Sequence, residues 1–124
     1  MNFKQSDCGR VEGERRDCTV RACATAFNVS YSKAHDVLKR AGRQDEKGIK
    51  FNEVVRNGFL NELGDIELRS DLCCRSLGKI LPEMQSGRFI VRIHRHTFAI
   101  VDGVLIDLFL PKMGTSVKMV YQIK

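Results

Sequence analysis

The sequence predicts an α+β domain in which N-terminal helices pack on a C-terminal antiparallel sheet. Three features carry that expectation. Apolar residues recur at helical spacing from Cys18 to Ala41, short runs rich in Val, Ile and Phe take over after Gly87, and Asp102-Gly103 separates two of those runs. Helices first and a meander of strands last is the order of an α+β fold with its helices on one face of the sheet. The 124 residues contain no repeat, low-complexity tract or linker, so residues 1–124 are expected to form one domain, with residues 1–11 an irregular N-terminal segment.

The first helix is expected to begin at Cys18 and to bury Val20, Ala24 and Phe27; Asn28-Val29-Ser30 interrupts the pattern. Tyr31, Ala34, Val37 and Leu38 then define a second helix, capped by Ser30 or Ser32 and stopped at Gly42. Ile49 to Leu63 suggests a third, weakened by Gly58, and Ser76 is placed to cap a short helix through Met84 that Pro82 makes irregular. The expected strands are Phe89 to Ile93, Thr97 to Val101, Val104 to Leu108 and Val117 to Ile123. Asp-Gly supplies the two positive φ values of a type I′ turn, so Asp102-Gly103 should close a two-residue hairpin.

Composition narrows the class of function. No apolar run approaches the roughly 20 residues of a membrane-spanning helix, and the first residues lack the apolar core of a secretory signal. A cytoplasmic protein with no membrane partner is expected. Five cysteines, odd in number and irregular in spacing, fit reduced thiols better than a disulfide framework. The net charge of +6 comes partly from scattered residues such as Arg10, Arg15, Arg16, Arg21, Lys39, Arg40 and Arg43, without interleaved aromatics, which disfavours nucleic acid as the partner.

Chemistry is suggested at two distant places. Cys18 falls in the first turn of the first helix, where unpaired backbone N–H groups and the helix dipole favour thiolate over thiol. His96 opens a strand that turns at Asp102-Gly103 and returns to Asp107 within Val-Leu-Ile-Asp-Leu-Phe. Counting outward from the turn sets Val101 opposite Val104, Phe98 opposite Asp107 and His96 opposite Phe109. His96, Phe98, Asp107 and Phe109 then share a face, with Asp107 diagonal to His96. A carboxylate there can hold an imidazole in the tautomer a general base requires.

Asp-Cys-Thr-Val-Arg-Ala at 17–22, Ala-Gly-Arg at 41–43, and Gly-Arg-Phe-Ile-Val-Arg-Ile with His-Thr-Phe-Ala-Ile-Val-Asp-Gly within 87–103 resemble small papain-like cysteine peptidase domains encoded by bacteriophages. More distantly they are similar to the double-glycine leader peptidases of bacteriocin exporters. The resemblance implies a papain-like fold and a cofactor-free Cys-His-Asp triad, with Cys18 as nucleophile, His96 as general base and acid, and Asp107 as the orienting residue. The implied partner is a peptide or protein substrate, a host protein among the candidates. The sequence departs from the family where Glu12 replaces the upstream glutamine that helps form the oxyanion hole, and where Arg95 replaces a glycine that often precedes the histidine. Arg15, Arg16 or the Cys18 backbone N–H are the candidate replacements for the oxyanion donor. Glu12 also motivates an alternative, a catalytically weak or inactive papain-like scaffold that binds a host protein.

Other cysteines and histidines compete poorly for the role. Cys8, in Asp7-Cys8-Gly9, lacks a following apolar helix. Cys73-Cys74 with Cys23 or His94 has no Cys-x-x-Cys spacing, so no metal is expected. His35 is expected to pack or face solvent, and His94 either forms a turn or lines the cleft.

Overall fold

The computed structural model describes residues 2–10, 17–43 and 62–124. Among them a mixed α+β architecture is formed by strand β1 (Asn2–Gln5), helices α1 (Cys18–Ala26) and α2 (Tyr31–Arg40), strand β2 (Ile66–Leu68), the single-turn helix α3 (Leu77–Ile80), and strands β3 (Arg88–Ile93), β4 (His96–Val101), β5 (Val104–Asp107) and β6 (Met119–Ile123). The six strands form one sheet in the order β1-β5-β4-β3-β6-β2. No helix among the described residues is long and apolar enough to cross a membrane.

The helices form where the apolar spacing predicts. In α1 nearly every residue is buried, Arg21 included, as befits a helix covered on several sides. Its small side chains Ala22, Ala24 and Ala26 pack in one cluster with Ala99 of β4 and Ile90 of β3, which brings the helix close to the sheet. Asn28, at φ +56°, breaks the chain away from α1. Ser30 then caps α2 by accepting a hydrogen bond from the Lys33 N–H at 3.1 Å, and α2 buries the stripe Tyr31, Ala34, Val37 and Leu38. Gly42, at φ +116°, follows the helix end as expected. The expected helix from Ile49 to Leu63 lies almost wholly outside the described residues.

The hairpin is in the register counted from the turn. Val101 pairs with Val104, Ile100 with Leu105 and Ala99 with Ile106, and Asp102 and Gly103 both have positive φ. β5 ends at Asp107, however, so Phe109 never joins the shared face and its side chain is 76% exposed.

Four further expectations are corrected. The sheet is not a C-terminal antiparallel meander alone, because β1 pairs parallel with β5 and β2 pairs antiparallel with β6. The segment 1–11, expected to be irregular, thus contains a strand. Helices also cover both faces: α1 and α2 lie over Ile90, Ala99 and Tyr121, while α3 and the 3₁₀ turn Leu81–Met84 pack against Phe89, Val91, Phe98, Ile100 and Leu105. The helix expected from Ser76 through Met84 is divided into those two turns, with Pro82 at the start of the second. Burial on both sides explains why β3 and β4 are apolar at successive positions rather than alternate ones.

Candidate active site

Cys18 is the first residue of α1, and α1 packs across β4. The helix start therefore comes to the beginning of β4, where the His96 ring and the backbone N–H of Thr97 lie near enough to the sulfur to favour its charged form. Across the hairpin, His96 Nε2 lies 2.5 Å from Asp107 Oδ2. With Nε2 engaged there, Nδ1 is the ring nitrogen left for Cys18. The other carboxylate oxygen, Asp107 Oδ1, accepts the Leu108 N–H at 2.8 Å. Phe98 sits beside the imidazole, with ring centroids 5.9 Å apart. The structure thus brings together the three residues singled out in the sequence.

Exposure differs along this row. Cys18 is half-buried and the His96 side chain is 31% exposed, whereas Asp107 is 3% exposed, so the reactive end is accessible and its support is not.

The protonation states follow from these contacts. Burial pushes the Cys18 thiol up, but hydrogen bonds from His96 and the Thr97 N–H, with the charge of His96, outweigh burial and hold it below its ordinary value. The Asp107 hydrogen bond, then the Cys18 hydrogen bond, raise His96 to about 9 against the opposing effect of desolvation. Burial also pushes Asp107 up, and His96, Arg21 and the Leu108 N–H together reverse the direction. A lowered thiol beside a raised imidazole favours transfer of the thiol proton to the ring, and the protons of such coupled groups belong to the pair. Such a pair supplies a nucleophile and a general acid in contact.

Behind the row lies a polar network that sequence reasoning missed. Arg21, one turn along α1 from Asp17, donates through Nε to Asp17 Oδ1 at 3.0 Å and through a terminal nitrogen to Asp107 Oδ1 at 2.7 Å. Asp17 Oδ2 accepts the Tyr31 hydroxyl at 2.8 Å and Arg10 Nε at 2.8 Å, and Arg10 also donates to Oδ1. Asp17 precedes α1 yet its side chain caps nothing, because the carboxylate is committed to these partners. Burial favours its neutral form, but Arg10, Arg21 and Tyr31 hold its pKa well below the usual carboxylate range. One signal was present in the sequence, a lone charged side chain at position 21 of an otherwise uncharged helix with an acid four residues before it. Nothing in the local pattern marked Arg10 or Tyr31.

The remaining candidates separate cleanly. Arg15, Arg16 and Glu12 lie outside the described residues; of the oxyanion candidates, only the Cys18 backbone is described. Cys23 is fully buried in the core on the α1 face, and Cys8 occupies a turn at φ +55°. His94 is an exposed residue of the turn between β3 and β4, and His35 packs beside Tyr31 with ring centroids 6.0 Å apart. Among the described residues, no three His, Cys, Asp or Glu side chains gather as a metal ion would require. The chain matches no family model, no curated protein and no solved structure.

Proposed function

We propose that the chain is a papain-like thiol hydrolase or cysteine peptidase acting through Cys18, His96 and Asp107. The observation that carries this reading is the His96 ring held 2.5 Å from the buried Asp107 carboxylate, near a helix-start cysteine whose thiol the imidazole helps to lower. A cysteine that merely packs has no need of such a partner; Cys23, in the same helix, is pushed the opposite way by burial.

In this reading the Cys18 thiolate attacks an acyl carbon of a peptide or protein substrate. The C–S bond forms as electrons move onto the carbonyl oxygen, where the Cys18 backbone N–H is the described candidate donor. Collapse expels the leaving amine, which takes its proton from the His96 imidazolium. The resulting thioester is then attacked by water, with neutral His96 accepting the proton, and the carboxylic acid departs as the thiolate and imidazolium are restored. Asp107 keeps the ring oriented throughout and stabilises its positive charge. The reaction draws on no cofactor.

The test is hydrolysis of a fluorogenic peptide library, with intact-mass analysis for an acyl adduct on Cys18. The expected result is turnover by the wild type, loss by at least about 10³-fold in Cys18→Ala, and a comparable loss in His96→Ala. Undiminished hydrolysis in Cys18→Ala would overturn the assignment. A wild type that alkylates at Cys18 but neither turns over nor acylates would favour the host-protein-binding scaffold instead.

A further inference from the structure

We infer that Arg21 is a positioning residue of this site: by spanning Asp17 and Asp107 it fixes the carboxylate that orients His96, and through it sets the reactivity of Cys18. The inference rests on the reading of Cys18 and His96 as a reactive pair. Its basis is geometric. Arg21 contacts neither Cys18 nor His96 among its hydrogen-bond partners, and both of its described partners are buried carboxylates on different elements. Asp107 has two oxygens and three described side-chain and backbone donors to serve. Arg21 and the Leu108 N–H both take Oδ1, which leaves Oδ2 directed to His96.

The bridge requires an arginine. A guanidinium is a rigid planar fork, so Nε and a terminal nitrogen reach two acceptors in a fixed relation. A lysine supplies the same charge from one point on a flexible stem and holds the two carboxylates less rigidly. Asp17, in turn, is fixed from the N-terminal segment by Arg10 and from α2 by the Tyr31 hydroxyl. Charge alternates along the row, from Arg10 through Asp17, Arg21 and Asp107 to His96 and Cys18. Among the described residues Asp7 also acts on this row, through Arg10, and Cys18 acts in turn on the buried Cys23 of the same helix. A salt-bridged arginine on a helix is usually a matter of stability alone. Here the arrangement ends on the carboxylate that touches the imidazole, which makes a chemical consequence testable.

The experiment compares the rate of Cys18 alkylation by iodoacetamide across pH in the wild type, Arg21→Lys, Asp107→Asn and the double variant, read by peptide mass spectrometry and paired with circular dichroism of each fold. Arg21→Lys is expected to remain folded while Cys18 alkylation in the acid range falls several-fold, each unit of upward shift in the thiol being about tenfold. In the Asp107→Asn background the same change is expected to add nothing further, since the route through Asp107 is already lost. An Arg21→Lys profile that coincides with the wild type, or a full additional loss in the double variant, would overturn the inference. Should Arg21→Lys fail to fold, Asp17→Asn takes its place with a smaller shift in the same direction, and an unchanged profile there overturns it equally. A wild-type Cys18 that reacts no faster at low pH than the exposed Cys74 would instead defeat the underlying reading of the pair.

Discussion

Asp107 Oδ2 and His96 Nε2 meet at 2.5 Å across a hairpin that separates the two residues by 11 positions. The turn makes this possible. Asp102 and Gly103 set the register, and the register brings the end of β5 alongside the start of β4. The first prediction follows from that contact. Its hydrogen bond is the largest influence raising His96, so Asp107→Asn, which retains the shape without the charge, should return the imidazole toward its ordinary value of 6.5. Alkylation of Cys18 at pH 6 to 7 should then fall by about tenfold or more, as measured from the pH dependence of peptide labelling.

The network behind the pair should matter for stability as well. Asp17 is fully buried and serves Arg10, Arg21 and Tyr31, so Asp17→Ala leaves the buried Arg21 without one of its two carboxylates. Breaking a buried pair in this way costs about 3–5 kcal/mol. Tyr31→Phe removes one hydrogen bond to a charged group and should cost about 1.5–3 kcal/mol. Urea denaturation of both variants checks the order, with Asp17→Ala the more damaging.

Stability should also decline at both ends of the pH range. His96 is raised from 6.5 to about 9 in the fold, so its contribution is fully present below pH 6.5 and is lost as the pH rises through 9. The upper limit is about 3.5 kcal/mol, at about 1.4 kcal/mol per unit. Asp17 and Asp107 are lowered, so their contribution is present above the unfolded value of 3.8 and is lost as the pH falls through their folded values. In Cys18→Ala the alkaline loss should move to lower pH, because the cysteine's share in raising His96 is gone. Unfolding free energies measured by denaturant from pH 3 to 10 would reveal both limbs.

The turn itself offers an independent check. Gly103 has φ +80°, and a Cβ there would stand 2.6 Å from Gln85 Oε1. Gly103→Ala should therefore cost about 1–3 kcal/mol, with Gln85 yielding part of the space. Thermal unfolding measures the loss, and the labelling profile of Cys18 should stay close to the wild type because the register is unchanged.

Much of the site was legible because its determinants are local. Cys18 at a helix start and the Asp102-Gly103 turn are both readable within a few residues, and the diagonal from His96 to Asp107 follows from counting. What escaped depends on contacts between distant segments. β1 contains one apolar side chain, Phe3, in four residues and exists through its parallel pairing with β5, where Gln5 aligns with Asp107. β2 has three residues at a sheet edge and little alternation to detect. Arg21 and Asp107 are 86 positions apart, and no spacing rule connects them. The counting failed at Phe109 for a related reason: the strand pattern continued in the sequence, but pairing ended at Asp107.

The proposed chemistry depends on a Cys18 thiolate and a His96 imidazolium supported by Asp107. An NMR titration of the His96 ring tests it most directly, performed on the wild type and on Cys18→Ser and Asp107→Asn. The expected wild-type midpoint is near pH 9, lowered in both variants and further in Asp107→Asn, because Asp107 exerts the larger effect on the ring. A wild-type midpoint near 6.5, unmoved by either substitution, would contradict it.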